Sequence, residues 1–182
     1  MEFYNNMKLK FNSNKEAEIA KKVMQDFMTT ANFDFKYADE KKQSNLLKDS
    51  LSVKGNELVL VDCGAYTPED IIVVAKELLK AIANCKSIEN FNGEFDGAGT
   101  YSESLLDVEF NNDVLTIKST YYPSGYEEML CCPECGEEIV SIEEYDPLAT
   151  YRCEECDEEI DLSEVYDEYA PVIENLSIKI SK

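Results

Sequence analysis

Two cysteine pairs, Cys132-x2-Cys135 and Cys153-x2-Cys156, are separated by seventeen residues. No other feature constrains the chain as strongly. A C-x2-C step places two sulfurs on one tight turn, and a second such step supplies two more. Where thiols stay reduced, paired cysteines read as metal ligands rather than disulfides. The total of seven cysteines is odd, which a closed disulfide framework would not use. Four thiolates suit a tetrahedral zinc, bound at about 2.3 Å. The alternatives are coincidental cysteines, or an iron site on the same four sulfurs. Four protein ligands leave no coordination position open, so one structural zinc is expected rather than a catalytic one.

The turn residues agree with this reading. In Cys132-Pro133-Glu134-Cys135-Gly136, proline fixes one φ angle and glycine lets the backbone reverse. The second step, Cys153-Glu154-Glu155-Cys156, ends on Asp157, a residue that tolerates the left-handed conformation better than most. Ile139-Val140-Ser141-Ile142 and Ala149-Thr150-Tyr151 are read as the strands between the two turns, reversing through Asp146-Pro147. Residues 128–160 thus resemble a rubredoxin-like zinc ribbon. The resemblance implies that Cys132, Cys135, Cys153 and Cys156 hold the metal.

The remaining cysteines carry less. Cys131 adjoins a ligand but is out of register with the pair, a bystander thiol or an exchange ligand during metal loading. Cys63 and Cys85 close a predicted strand and a predicted helix, and read as small buried residues. The chain has no histidine. That removes Ser-His and Cys-His couples and leaves Cys63 without an activating base.

Charge is the second constraint. The net formal charge is −21, and it is uneven. Residues 1–121 carry 20 acids and 14 bases, whereas residues 122–182 carry 18 acids and 3 bases. Within 126–162 there are fourteen acids and a single base, Arg152. Zinc on four thiolates would itself be formally −2, so the metal does not relieve the excess. Such a field repels nucleic acid and anionic membranes and attracts basic surfaces. Glu134, Glu137, Glu138, Glu143, Glu144, Glu154, Glu155, Asp157, Glu158 and Glu159 form the candidate partner-binding surface. No apolar run approaches the roughly eighteen residues a membrane span needs, and the start lacks a signal-peptide pattern, so a cytoplasmic location is expected.

The first two thirds show a different texture. Met7–Phe11 alternates like a strand. Ser13-x-x-Glu16 is a capping box, followed by apolar residues at helical spacing from Asn14 to Thr30. A short helix is expected near Asp39 to Leu47. Leu51–Val53 and Leu58–Val61 flank a Gly55-Asn56 hairpin turn. Thr67-Pro68-Glu69-Asp70 opens a second long helix with Ile71, Val74, Ala75, Leu78, Leu79 and Ile82 on one face. A strand is read over Ser87–Phe95, with Gly93, Gly97 and Gly99 marking a turn. Leu105–Phe110 and Val114–Tyr121 form a last hairpin. The predicted class is α+β, and the β-α-β-β-α-β order of residues 1–121 resembles a ferredoxin-like sandwich extended by a hairpin. The ribbon module covers 126–162 and a C-terminal segment 163–182. The alternating stretch Val172–Ile180 is expected to return as an edge strand of the first sheet.

Three functions follow from these features. The first is a non-enzymatic acidic protein that mimics nucleic acid against a protein partner with a basic surface. One example would be a phage or mobile-element inhibitor of a restriction or CRISPR-type (anti-CRISPR) defence effector. The second is an adaptor that docks through the zinc ribbon, its acids serving only for solvation. The third is a divalent-metal hydrolase on the first domain. The glycine-rich stretch has no phosphate-loop lysine, and no carboxylate pair stands out. Tyr101, Tyr121, Tyr122 and Tyr126 are candidates for half-buried packing or an interface.

Overall fold

A computed structural model describes residues 4–30, 40–61, 63–64, 66–99, 102–123 and 129–181. The chain forms β1 (Tyr4–Phe11), α1 (Asn14–Thr30), α2 (Glu40–Ser50), β2 (Ser52–Lys54), β3 (Glu57–Leu60), α3 (Pro68–Ala83) and β4 (Phe91–Ala98). It continues through β5 (Glu103–Asn111), β6 (Val114–Tyr122), β7 (Met129–Cys131), β8 (Glu138–Ser141), β9 (Tyr151–Cys153), β10 (Glu158–Ile160), α4 (Ser163–Tyr169) and β11 (Val172–Lys179). The result is a mixed α+β molecule built on a seven-stranded sheet in the order β11-β6-β5-β4-β1-β3-β2. Every neighbouring pair in that sheet is antiparallel.

Local chemistry sets the helix starts. Ser13 Oγ accepts from the Glu16 N–H at 3.2 Å, and the Glu16 carboxylate takes the Asn12 N–H at 2.9 Å. The first bond satisfies a donor that the first turn of α1 leaves open, and the second ties the residue before the cap to that turn. In α3, Thr67 Oγ1 accepts from the Asp70 N–H at 3.1 Å and Pro68 occupies the first turn. Both helices lay their apolar faces on one side of the sheet. Ala17, Ala20, Met24 and Met28 of α1 join Ile71, Val74, Leu78, Leu79 and Ile82 of α3 in a single core with Met7, Leu9, Phe95, Leu106, Val108 and Ile117. Phe91 lies between Phe11 and Phe110, with ring centroids 5.5 and 5.4 Å apart. The helix-free face carries exposed Lys8, Lys10, Glu94, Asp107, Glu109 and Lys118. No helix among the described residues is long and apolar enough to cross a membrane.

β4 departs from the sequence expectation. It begins at Phe91, not Ser87, and contains Gly93 and Gly97. Neither glycine makes a turn; each admits a close neighbour. A Cβ on Gly93 would lie 2.0 Å from the Lys8 carbonyl oxygen of β1. One on Gly97 would lie 2.6 Å from Ile71 Cγ2, beneath the start of α3. Gly99 lies beyond the strand, its N–H donating to the Ser102 carbonyl at 2.9 Å.

β5 and β6 join through Asn112 and Asp113, with φ of 52° and 60°, the geometry of a two-residue primed turn. β11 pairs with β6 from Val172↔Tyr121 to Lys179↔Val114. Leu176 and Ile178 pack against the core, and Ile180 is buried. Residues 123–171 therefore depart from and rejoin two adjacent strands of one sheet.

Candidate metal centre

Each C-x2-C step closes its own small hairpin. β7 pairs with β8 around the first step, and β9 pairs with β10 around the second. This corrects the expected pairing of 139–142 with 149–151. A knuckle lies between the two arms of its own ladder, so the partner of each arm is found across the cysteines. Ile142 instead opens a single turn of 3-10 helix, Ile142–Glu144, whose N-cap Ser141 accepts from the Glu144 N–H at 3.2 Å.

The two knuckles are built alike. In the first, the Cys132 N–H donates to the Glu137 carbonyl at 2.7 Å, and the Gly136 N–H returns to the Cys132 carbonyl at 2.9 Å. In the second, the Cys156 N–H points at Cys153 Sγ, 3.4 Å away. Gly136 and Asp157 each follow the second cysteine of their step, with φ of 80° and 58°. Both positions thus need the left-handed conformation, which aspartate supplies where glycine is absent. The Arg152 guanidinium bonds the Asp157 carboxylate and holds that turn from outside.

The four thiol sulfurs of Cys132, Cys135, Cys153 and Cys156 all lie within 4.8 Å of one another. Cys132 and Cys156 are 3.9 Å apart, and Cys135 and Cys153 are 3.4 Å apart. A tetrahedral ion with bonds of about 2.3 Å sets its sulfurs about 3.8 Å apart, so the group fits a metal ion of that size. Those separations are well beyond a disulfide bond of about 2.05 Å, and none of the seven cysteines forms a disulfide.

Hydrogen bonding divides the thiols. N–H groups of Cys135 and Glu134 draw the Cys132 thiol down to about 7. Glu137 Oε2 accepts from Cys153 Sγ at 2.8 Å and from the Glu155 N–H at 3.1 Å. The Cys153 thiol is pushed up chiefly by that carboxylate, and Cys156 rises to about 11, chiefly through its contact with Cys135. Glu137 itself is held below the usual carboxylate range, first by Cys153 and then by the Glu155 N–H. Glu137 therefore faces inward and ties one knuckle to the other. Among the remaining acids, Glu134, Glu138, Glu144, Glu154, Glu155, Asp157, Glu158 and Glu159 are exposed, and Glu143 lies in the 3-10 turn.

A small core supports the site. Leu130, Cys132, Cys153 and Leu162 are essentially fully buried, and α4 packs on β7. Tyr145 stacks on Tyr166 of α4 at 4.4 Å and on Tyr151 of β9 at 5.7 Å. Burial, then the nearby Asp161 carboxylate, raises the Tyr145 hydroxyl. α4, in the segment 163–182, thus packs against this site. The tyrosines come from three separated stretches, and no local periodicity links them.

The other candidates are not drawn together with this site. Cys63 is buried and exchanges backbone bonds with Asn5, both at 3.0 Å. Cys85 is half-buried just past the end of α3. Cys131 directs its sulfur to the Met129 carbonyl at 3.8 Å, outside the four-sulfur group. Tyr121 and Tyr122 are half-buried on β6, and burial and then Glu69 raise the Tyr121 hydroxyl. Tyr101 and Tyr126 lie outside the described residues. No family model, curated protein or solved structure matches this chain.

Proposed function

We propose that this chain is a non-enzymatic interaction protein. In this reading one structural zinc closes an acidic ribbon, which docks on the basic surface of a protein partner and mimics the charge of nucleic acid. Bound zinc would supply the cross-link that a module with so small a core needs. The order β4-β1-β3-β2, with α1 and α3 as crossovers, supports reading residues 1–121 as a ferredoxin-like sandwich that carries this module.

One observation carries the proposal. Arg152, the sole base of residues 126–162, is engaged by Asp157, while ten acids of the same module are exposed among the described residues. The surface thus offers carboxylates, and its only cation is already paired. Phosphate-binding ribbons need the reverse.

The test captures partners from a bacterial lysate at low and high salt. It compares the native chain with a variant carrying glutamine at Glu134, Glu154, Glu155, Glu158 and Glu159. A basic nucleic-acid-binding protein, held at low salt by the native chain and lost by the variant, is expected. A partner retained equally by both would contradict the charge reading and favour docking through uncharged parts of the ribbon.

A further inference from the structure

The seven-stranded sheet has two edges of different character. β2 is three residues long, too short to template another strand. β11 is eight residues long and pairs with β6 in unbroken register. It contains no proline, and no bulge interrupts it. Sheet proteins ordinarily protect such an edge with proline, bulges, brevity or inward charges. The charges on β11 are Glu174, ion-paired with Lys76 of α3 on the helix-covered face, and Lys179 at the far end.

The direction of its backbone groups follows from one bond. The Ile180 N–H donates to the Asp113 carbonyl at 2.8 Å, and the register sets Lys179 opposite Val114. Antiparallel pairs alternate between bonded and non-bonded. Val172, Glu174, Leu176 and Ile178 therefore bond toward β6. Ile173, Asn175, Ser177 and Lys179 turn their N–H and C=O groups to the outer edge. Among the described residues no strand pairs with that edge. Val172 and Ile173, where β11 begins, are each 54% exposed.

We infer that β11 is a docking strand, and that an extended, lysine- or arginine-bearing segment of a partner protein adds to it as an eighth strand. Main-chain bonds would supply the pairing, and side chains alternating between the two faces would supply the choice of sequence. Position argues for the charge of the segment. β11 follows α4 directly and belongs to residues 122–182, which carry 18 acids and 3 bases. A second copy of a chain with net charge −21 would meet repulsion there instead. The basic character of the segment rests on the acidic-module reading above; the open edge does not.

The test uses the full chain with zinc and an octapeptide alternating lysine and valine, followed by fluorescence anisotropy at low salt. Three proteins are compared: the native chain, Ser177→Pro, and the five-glutamine ribbon variant. Proline at 177 removes an outward N–H and leaves the β6 ladder intact, a position where edge strands accept it. Binding to the native chain, weakened about tenfold or more in Ser177→Pro, is expected.

Hydrogen exchange on the native chain gives a readout independent of any substitution. On peptide addition the amides of Ile173, Asn175, Ser177 and Lys179 should slow, in an every-other-residue pattern. Equal binding by Ser177→Pro together with no such protection overturns the docking strand and leaves the charge reading standing. No binding by the native chain overturns it as well. Sedimentation showing that the chain alone dimerises through these amides would assign the edge to a second copy. Loss of binding in Ser177→Pro but full binding by the glutamine variant keeps the docking strand and removes the charge reading.

Discussion

Gly93 and Glu174 show how single residues are fixed by neighbours far away in sequence. A side chain at position 93 would collide with the Lys8 carbonyl oxygen. This is backbone, which cannot swing aside. Gly93→Ala should cost about 3 kcal/mol, read as a lower denaturant midpoint with an unchanged slope. The glycine is plain in the sequence, but its reason is not, because β1 lies more than eighty residues earlier; read locally, three spaced glycines look like a turn. Glu174 is ion-paired with Lys76 of α3. Hydrogen bonding and then the charge of that lysine hold its carboxyl below its ordinary value of 4.5. A depressed carboxyl contributes stability above the unfolded pKa and loses it as pH falls through the folded one. Glu174→Gln should therefore be less stable than the native chain at pH 7. The difference should be under about 1 kcal/mol, because the Glu174 side chain is exposed, and should vanish in acid. Stability curves of both proteins against pH check the sign.

Elements with their own signals were legible. Ser13-x-x-Glu16 and Thr67-Pro68 mark helix starts through side chains that bond the neighbouring backbone, so α1 and α3 could be placed from local chemistry. The ribbon strands could not. The sequence shows where cysteines reverse the chain, but not which side of a knuckle supplies each ladder partner. The turns themselves make a comparative prediction. Asp157 occupies the left-handed place that Gly136 holds in the other knuckle. Asp157→Gly should leave zinc affinity near the native value, exchanging the Arg152 contact for a relaxed backbone. Asp157→Val, which resists that conformation, should weaken it by about tenfold. Competition with a chromogenic chelator measures both.

At the scale of the whole molecule, the acidic module is a loop between neighbouring strands. Tyr121 of β6 pairs with Val172 of β11, so the ends of the excursion lie side by side. Replacing residues 123–170 with an Asn-Gly turn should leave the seven-stranded sheet folded and cooperative, by circular dichroism and thermal melting. Loss of the sheet would show that the module helps to fold its host. In the zinc-ribbon reading the module's own shape depends instead on its four sulfurs, because Leu130 and Leu162 are its only fully buried aliphatic side chains among the described residues. The site was legible because its cysteines repeat a spacing. The tyrosine stack and the inward turn of Glu137 were not, because they join segments that share no local pattern.

The most direct test of this account is the metal content of the reduced full chain, purified from zinc-replete cells and measured by elemental analysis. One zinc per chain is predicted, falling sharply when Cys132 and Cys153 are both changed to serine. A reduced, folded chain without zinc, or one whose zinc is unaffected by those substitutions, would contradict it.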